Sequence, residues 1–127
     1  MSDLIEAKAG DRQLLMGNEA IARGALEAGI SVAAGYPGTP SSDIIESLAG
    51  VAKERHLYVE WSTNEKVALE VAAAASFAGL RSLCVMKQNG VNVASDFLLH
   101  LAGFGTRGGM VIVPCDDPRA LSSANEG

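Results

Sequence analysis

The side chains best suited to chemistry fall in three short segments. These are Tyr36-Pro37-Gly38-Thr39-Pro40-Ser41-Ser42, Ser62-Thr63-Asn64-Glu65 and Lys87-Gln88-Asn89-Gly90. The first combines hydroxyls with two prolines that fix its shape, and it enters a helix. N–H groups and hydroxyls there suit a carboxylate or a phosphate. The same residues also suit plain capping, with Thr39 as the cap and Pro40 at the first helical position. The second segment sets a carboxylate, Glu65, at a helix start. It fits a capping box, in which the glutamate reaches back to the N–H of Ser62. It fits equally a carboxylate placed to meet a ring nitrogen of a ligand.

Other candidates read as structural. Gly103-Phe104-Gly105-Thr106-Arg107-Gly108 matches GxGxxG, yet it follows a helix and precedes a strand, the reverse of a dinucleotide site. His56 and His100 have no metal-ligand spacing with each other or with the cysteines. Cys84 and Cys115 sit in apolar runs and read as core residues. No CxxC occurs, so no iron–sulfur site is expected on this chain. Asp116-Asp117 before Pro118 reads as a solvated turn, and no metal site is expected.

The elements that must carry these segments alternate. Five strands are predicted, at Gln13 to Met16, Ile30 to Ala34, Leu57 to Trp61, Ser82 to Met86 and Met110 to Cys115. Helices are predicted at Glu19 to Ala28, from the Thr39 cap to about Arg55, at Glu65 to Ala78 and at Val91 to Leu101, with Gly29 and Gly79 closing two of them. This order predicts an α/β fold, a doubly wound parallel sheet. The strands are continuous apolar runs, which predicts burial on both faces. In such sheets ligands bind outside the carboxyl ends of the strands. Gly17-Asn18-Glu19, residues 36–42, 62–65 and 87–92, and Asp116-Asp117 all leave strands at that rim, whereas Ala28-Gly29 and Gly79-Leu80 at the other end are bland. The final Ser122 to Gly127 reads as the approach to another helix, so the chain is expected to be truncated.

Composition bounds the reading. The 127 residues are 48% hydrophobic and 20% charged, with a formal net charge of -5. That supports one globular domain and gives no electrostatic footprint for nucleic acid. The longest uncharged apolar stretch, Val71 to Leu80, is too short to span a bilayer. The acidic start predicts no secretory leader, and a cytoplasmic location is expected.

Four ordered segments resemble the N-terminal region of the large subunit of indolepyruvate ferredoxin oxidoreductases, a branch of the 2-oxoacid:ferredoxin oxidoreductases. They are Leu15-Met16-Gly17-Asn18-Glu19-Ala20-Ile21-Ala22-Arg23-Gly24, Gly35-Tyr36-Pro37-Gly38-Thr39-Pro40-Ser41-Ser42, Glu60-Trp61-Ser62-Thr63-Asn64-Glu65-Lys66-Val67-Ala68 and Met86-Lys87-Gln88-Asn89-Gly90-Val91-Asn92-Val93-Ala94-Ser95-Asp96. The YPGTPSS loop is similar to one shared widely among 2-oxoacid oxidoreductases; the STNEK and MKQxGxN segments narrow the likeness to the indolepyruvate branch. The resemblance runs from Arg12 to Glu126. It implies that residues 1–127 are the N-terminal part of a pyrimidine-binding domain for thiamine diphosphate.

By that resemblance Glu65 is the catalytic glutamate, sharing a proton with pyrimidine N1′ and so promoting proton loss at thiazolium C2. Lys87, Gln88 and Asn89 would line the cofactor, and Thr39, Tyr36 and Ser41 the substrate. The implied activity is oxidative decarboxylation of aryl 2-oxoacids to aryl-acetyl-CoA with reduction of ferredoxin, a step of amino acid catabolism. The family's GDG motif for Mg²⁺ and diphosphate and its cysteine motifs for [4Fe-4S] clusters are absent from this chain. Those sites are expected elsewhere in a hetero-oligomer that includes a smaller beta subunit and uses coenzyme A. Two alternatives stand beside this: a non-catalytic scaffold or regulatory module of the same fold, and a related subunit acting on pyruvate or 2-oxoglutarate.

Overall fold

The computed structural model describes residues 6–118. The elements are α1 (Gly17–Glu27), β1 (Val32–Gly35), α2 (Ser42–Arg55), β2 (Tyr58–Trp61), α3 (Glu65–Phe77), β3 (Ser82–Lys87), α4 (Gly90–Phe104) and β4 (Met110–Cys115). Among the described residues the four strands form one sheet in the order β2-β1-β3-β4, and every pairing is parallel.

Side chains alternate across the two central strands, as the period of two requires. Ala33, Leu83 and Val85 face one layer, where they pack with Ala22 of α1 and Ile44, Ile45 and Leu48 of α2. Ala34, Cys84 and Met86 face the other, against α3 and α4. The small residues Ala68, Ala72 and Ala73 are fully buried and let α3 lie close to the sheet. Helices therefore cover both faces, and the doubly wound parallel arrangement expected from the sequence holds.

Two expectations are corrected. Gln13 to Met16 is not a strand. No strand among the described residues pairs with it, and Leu14 is fully exposed. Met16 instead opens α1, its N–H donating to Glu19 Oε2 at 2.8 Å. Among the described residues, burial on both faces applies to β1 and β3 only. The edge strands β2 and β4 are half open, with Val111 58% exposed.

The GxGxxG segment is a connector, joining α4 to β4 at the rim opposite the strand carboxyl ends. The fully buried Ser76 clamps it. The Ser76 hydroxyl donates to Gly108 O at 2.6 Å, and Gly108 N–H donates to Ser76 O at 2.8 Å. The expected helix approach at Ser122 to Gly127 lies outside the described residues. Among the described residues no helix is long and apolar enough to cross a membrane.

Candidate functional site

Because all four strands are parallel, the segments leaving their carboxyl ends share one rim. After β1 comes residues 36–41, after β2 residues 62–64, after β3 Gln88-Asn89, and after β4 Asp116-Asp117. Asn18 joins them without a strand to deliver it. Its Nδ2 donates to Pro40 O at 2.6 Å and to Asp43 Oδ2 at 3.3 Å, tying α1 to the loop.

The loop after β1 is built on the carbonyl of Gly38. That oxygen accepts from the N–H and hydroxyl of Ser41, both at 2.9 Å, while Ser42 Oγ accepts from Gly38 N–H at 2.9 Å. The Thr39-Pro40 peptide is cis. The helix begins at Ser42, after Ser41, so Thr39 does not cap α2 and Pro40 is not its first residue. Thr39 and Tyr36 are exposed on the rim. Ser41 is fully buried with its hydroxyl engaged by Gly38, which places it inside the loop as a shaping residue. The Lys87 side chain lies across Gly38, whose Cβ would stand 2.8 Å from Lys87 Cδ.

At the end of β2, the Tyr58 and Ser62 hydroxyls both donate to Glu60, Ser62 at 2.7 Å. Those bonds, Tyr58's the stronger, hold the Glu60 carboxyl below its ordinary range. The capping box read at Ser62 to Glu65 does not form. Asn64 is the cap of α3, its Oδ1 accepting from Val67 N–H at 3.0 Å. Glu65, as the first helical residue, is free of any capping task.

Glu65 is 5% exposed. It lies between the first turns of α3 and α4, directly against Gly90. Its carboxyl makes no hydrogen bond or ion pair among the described residues, and its oxygens are not sealed from the rim as those of Gln88 and Asn89 are. Beneath it, burial first and the Glu65 charge second push the Cys84 thiol up to about 12, so Cys84 keeps its proton at neutral pH and is no nucleophile. Two further acceptors on this rim, Gln88 Oε1 and Asn89 Oδ1, are buried without a partner. On the solvent side Lys66 Nζ meets Asp96 Oδ2 at 2.5 Å and joins α3 to α4. The hydrogen bond and the opposite charge raise the Lys66 ammonium and lower the Asp96 carboxyl.

An opening of about 300 Å³ lies beside these groups, lined by Gln88, Val91, Asn92, Pro114 and Asp116. A larger one, about 470 Å³, sits under residues 7–15 against Arg23 and Glu27. It shares no residue with the rim, and its Arg23 is engaged by Glu27 and by Ala7 O.

The rim therefore offers two buried amide oxygens in need of donors and, beside them, a carboxyl that makes no bond among the described residues. An aminopyrimidine, with an exocyclic amine and a ring nitrogen that takes a proton, has the matching donors. Among the described residues no group of three or more His, Cys, Asp or Glu stands close enough to hold an ion. His56 is a left-handed helix end, and the Nδ1 of His100 sits 2.7 Å from Asp96 O. Sequence reading placed Asn18 and Gly90 in rim segments but gave neither a role, because their contacts are tertiary.

The family model described as "Pyruvate flavodoxin/ferredoxin oxidoreductase, thiamine diP-bdg" matches residues 23–123. Among curated relatives, "Indolepyruvate oxidoreductase subunit IorA" of Thermococcus kodakarensis is 56% identical over 119 residues, 94% of this chain and 18% of that protein. The subunit of the same name from Methanothermobacter thermautotrophicus is 52% identical over 126 residues, 99% of this chain and 20% of that protein. "2-oxoglutarate synthase subunit KorA" of Methanocaldococcus jannaschii is 30% identical over 84 residues, 66% of this chain and 23% of that protein. The chain thus spans only 18–20% of the length of the indolepyruvate relatives named here. A solved structure of 2-oxoglutarate:ferredoxin oxidoreductase from Magnetococcus marinus, with 2-oxoglutarate, coenzyme A and succinyl-CoA bound, shares the fold. Its TM-score is 0.71 at 20% identity, over 80% of this chain and 18% of that one.

Proposed function

Since the chain belongs to the thiamine-diphosphate-binding family of pyruvate flavodoxin/ferredoxin oxidoreductases, we propose that it forms the pyrimidine half of the cofactor site in an indolepyruvate:ferredoxin oxidoreductase. The observation that carries this reading is Glu65 at the ligand rim, a residue 5% exposed whose carboxyl has no partner among the described residues. The names of the relatives with 52% and 56% identity support the substrate class.

Thiamine diphosphate, when bound, supplies the carbanion that adds to a 2-oxoacid and the electron sink for its decarboxylation. The chain's own part is proton control and orientation. Glu65 takes and returns a proton at pyrimidine N1′, in general acid–base work worth about 10²–10⁴-fold. Gln88 and Asn89, whose buried oxygens lack partners, would accept from the ring's N–H donors. Thr39 and Tyr36 face the substrate carboxylate, on a loop whose shape Ser41 and Gly38 hold. Lys87 spans from β3 to that loop and places a positive charge at the rim.

Residues 1–127 are the N-terminal part of the pyrimidine-binding domain. Mg²⁺, the diphosphate cradle and the [4Fe-4S] clusters belong to the remainder of a cytoplasmic hetero-oligomer with a smaller beta subunit. Coenzyme A takes the aryl-acetyl group and ferredoxin the electrons.

The test is reduction of ferredoxin by the complete enzyme with coenzyme A, under anaerobic conditions. Indolepyruvate is expected to exceed pyruvate and 2-oxoglutarate in kcat/KM by roughly 10²-fold, about what well-fitted pocket contacts provide. Removal of thiamine diphosphate abolishes the signal. A preference for 2-oxoglutarate would move the chain to that branch of the family, and turnover without thiamine diphosphate would end the proposal.

A further inference from the structure

Gly90 opens α4, yet its backbone has no need of glycine. Its φ lies outside the left-handed region, and glycine is the poorest helix former after proline. What the missing side chain provides is room. A Cβ at position 90 would stand 2.5 Å from Glu65 Cγ, 2.8 Å from Oε1 and 3.0 Å from Cδ, and those are its three nearest atoms. The space over Gly90 is therefore filled by the Glu65 side chain.

Hydrogen bonds do not hold Glu65 in place, since none reaches its carboxyl among the described residues. Contact does. Separation of the two helices is opposed on both sides, by the Lys66–Asp96 pair outside and by Ala68 and Ala94 in a shared core cluster inside. A side chain at position 90 must then be accommodated by rotation of Glu65.

We infer that Gly90 is a positioning residue: its bare Cα is the surface against which the Glu65 carboxyl is set for the pyrimidine ring. The inference rests on the role proposed above for Glu65. A displacement of about 1 Å in such a group costs on the order of 100-fold in rate.

The experiment uses the complete enzyme with thiamine diphosphate and compares Gly90→Ala, Glu65→Gln and the double variant. Two quantities are read: the rate at which the bound cofactor's thiazolium C2 proton exchanges with deuterium, and the melting temperature of the cofactor-free protein. Gly90→Ala is expected to slow exchange on the order of 100-fold with no loss of melting temperature. In the double variant exchange is expected to be no slower than in Glu65→Gln alone, because both changes act through one carboxyl.

Wild-type exchange in Gly90→Ala, or a further multiplicative loss in the double variant, would overturn the inference. If Gly90→Ala instead melts early, adding Glu65→Ala should restore the melting temperature by vacating the space; failure to restore it would place the clash elsewhere and also overturn the inference. Wild-type exchange in Glu65→Gln is a different result, one that removes the role of Glu65 itself.

Discussion

Glu65→Gln in the complete enzyme is expected to lower kcat with indolepyruvate by about 10²–10⁴-fold, the range for loss of a positioned acid–base group. Glu65→Met is expected to be equally inactive and yet more stable than the native protein when free of cofactor. The side chain is largely covered while its carboxyl oxygens still reach solvent, so an apolar residue of similar shape gives up no polar contact and gains apolar burial at about 0.8 kcal/mol per CH₂. Glu65 sits 5% exposed above Cys84 and beside Gly90, with no hydrogen bond among the described residues. For folding alone, this carboxyl contributes no bond among the described residues. Opposite effects on turnover and on denaturant midpoint are the signature of a residue kept for function. If Glu65→Met lowered the midpoint while turnover persisted, the carboxyl would be structural.

Gly108→Ala is expected to do the reverse, a loss of about 3 kcal/mol or more in stability with unchanged turnover per folded molecule. A Cβ there would stand 2.0 Å from the backbone oxygen of Leu80 and 2.7 Å from its carbonyl carbon. Neither atom belongs to a flexible side chain, so relief requires moving the turn between α3 and β3. The two bonds that Ser76 exchanges with Gly108 strain in the same step, and overpacking of this kind costs about 1–3 kcal/mol before those bonds are counted. The connector lies at the rim away from Glu65, which is why catalysis per folded molecule should be spared. Equilibrium unfolding of the variant reads the first effect, and active-site titration with turnover reads the second. A native midpoint in Gly108→Ala would contradict the close approach.

The two variants also mark what was legible beforehand. The alternation of helix and strand was readable because Gly29 and Gly79 close helices with positive φ, and because the central strands are uninterrupted apolar runs. That order alone predicted which loops share a rim. Gln13 to Met16 has the same apolar look but no strand to pair with, and pairing is a tertiary fact. The edge position of β4 was hidden for the same reason, since Val111 differs in burial and not in type from residues of β3. The motif at Ser62 to Glu65 matched a capping box in spacing, yet Asn64, one residue before Glu65, won the cap. Thr39 and Pro40 suited a helix start by type, but the Gly38 carbonyl draws Ser41 back and the helix begins later. Gly90 and Asn18 matter through contacts with Glu65 and Pro40 that cross more than 20 residues of chain, as the Asn18–Pro40 separation of 22 illustrates.

The most direct measurement is an experimental structure of the complete enzyme with thiamine diphosphate bound. A Glu65 carboxyl oxygen is expected within hydrogen-bond range of pyrimidine N1′, about 2.5–3.0 Å. A ring nitrogen met by some other carboxylate, with Glu65 left unbound, would contradict the account.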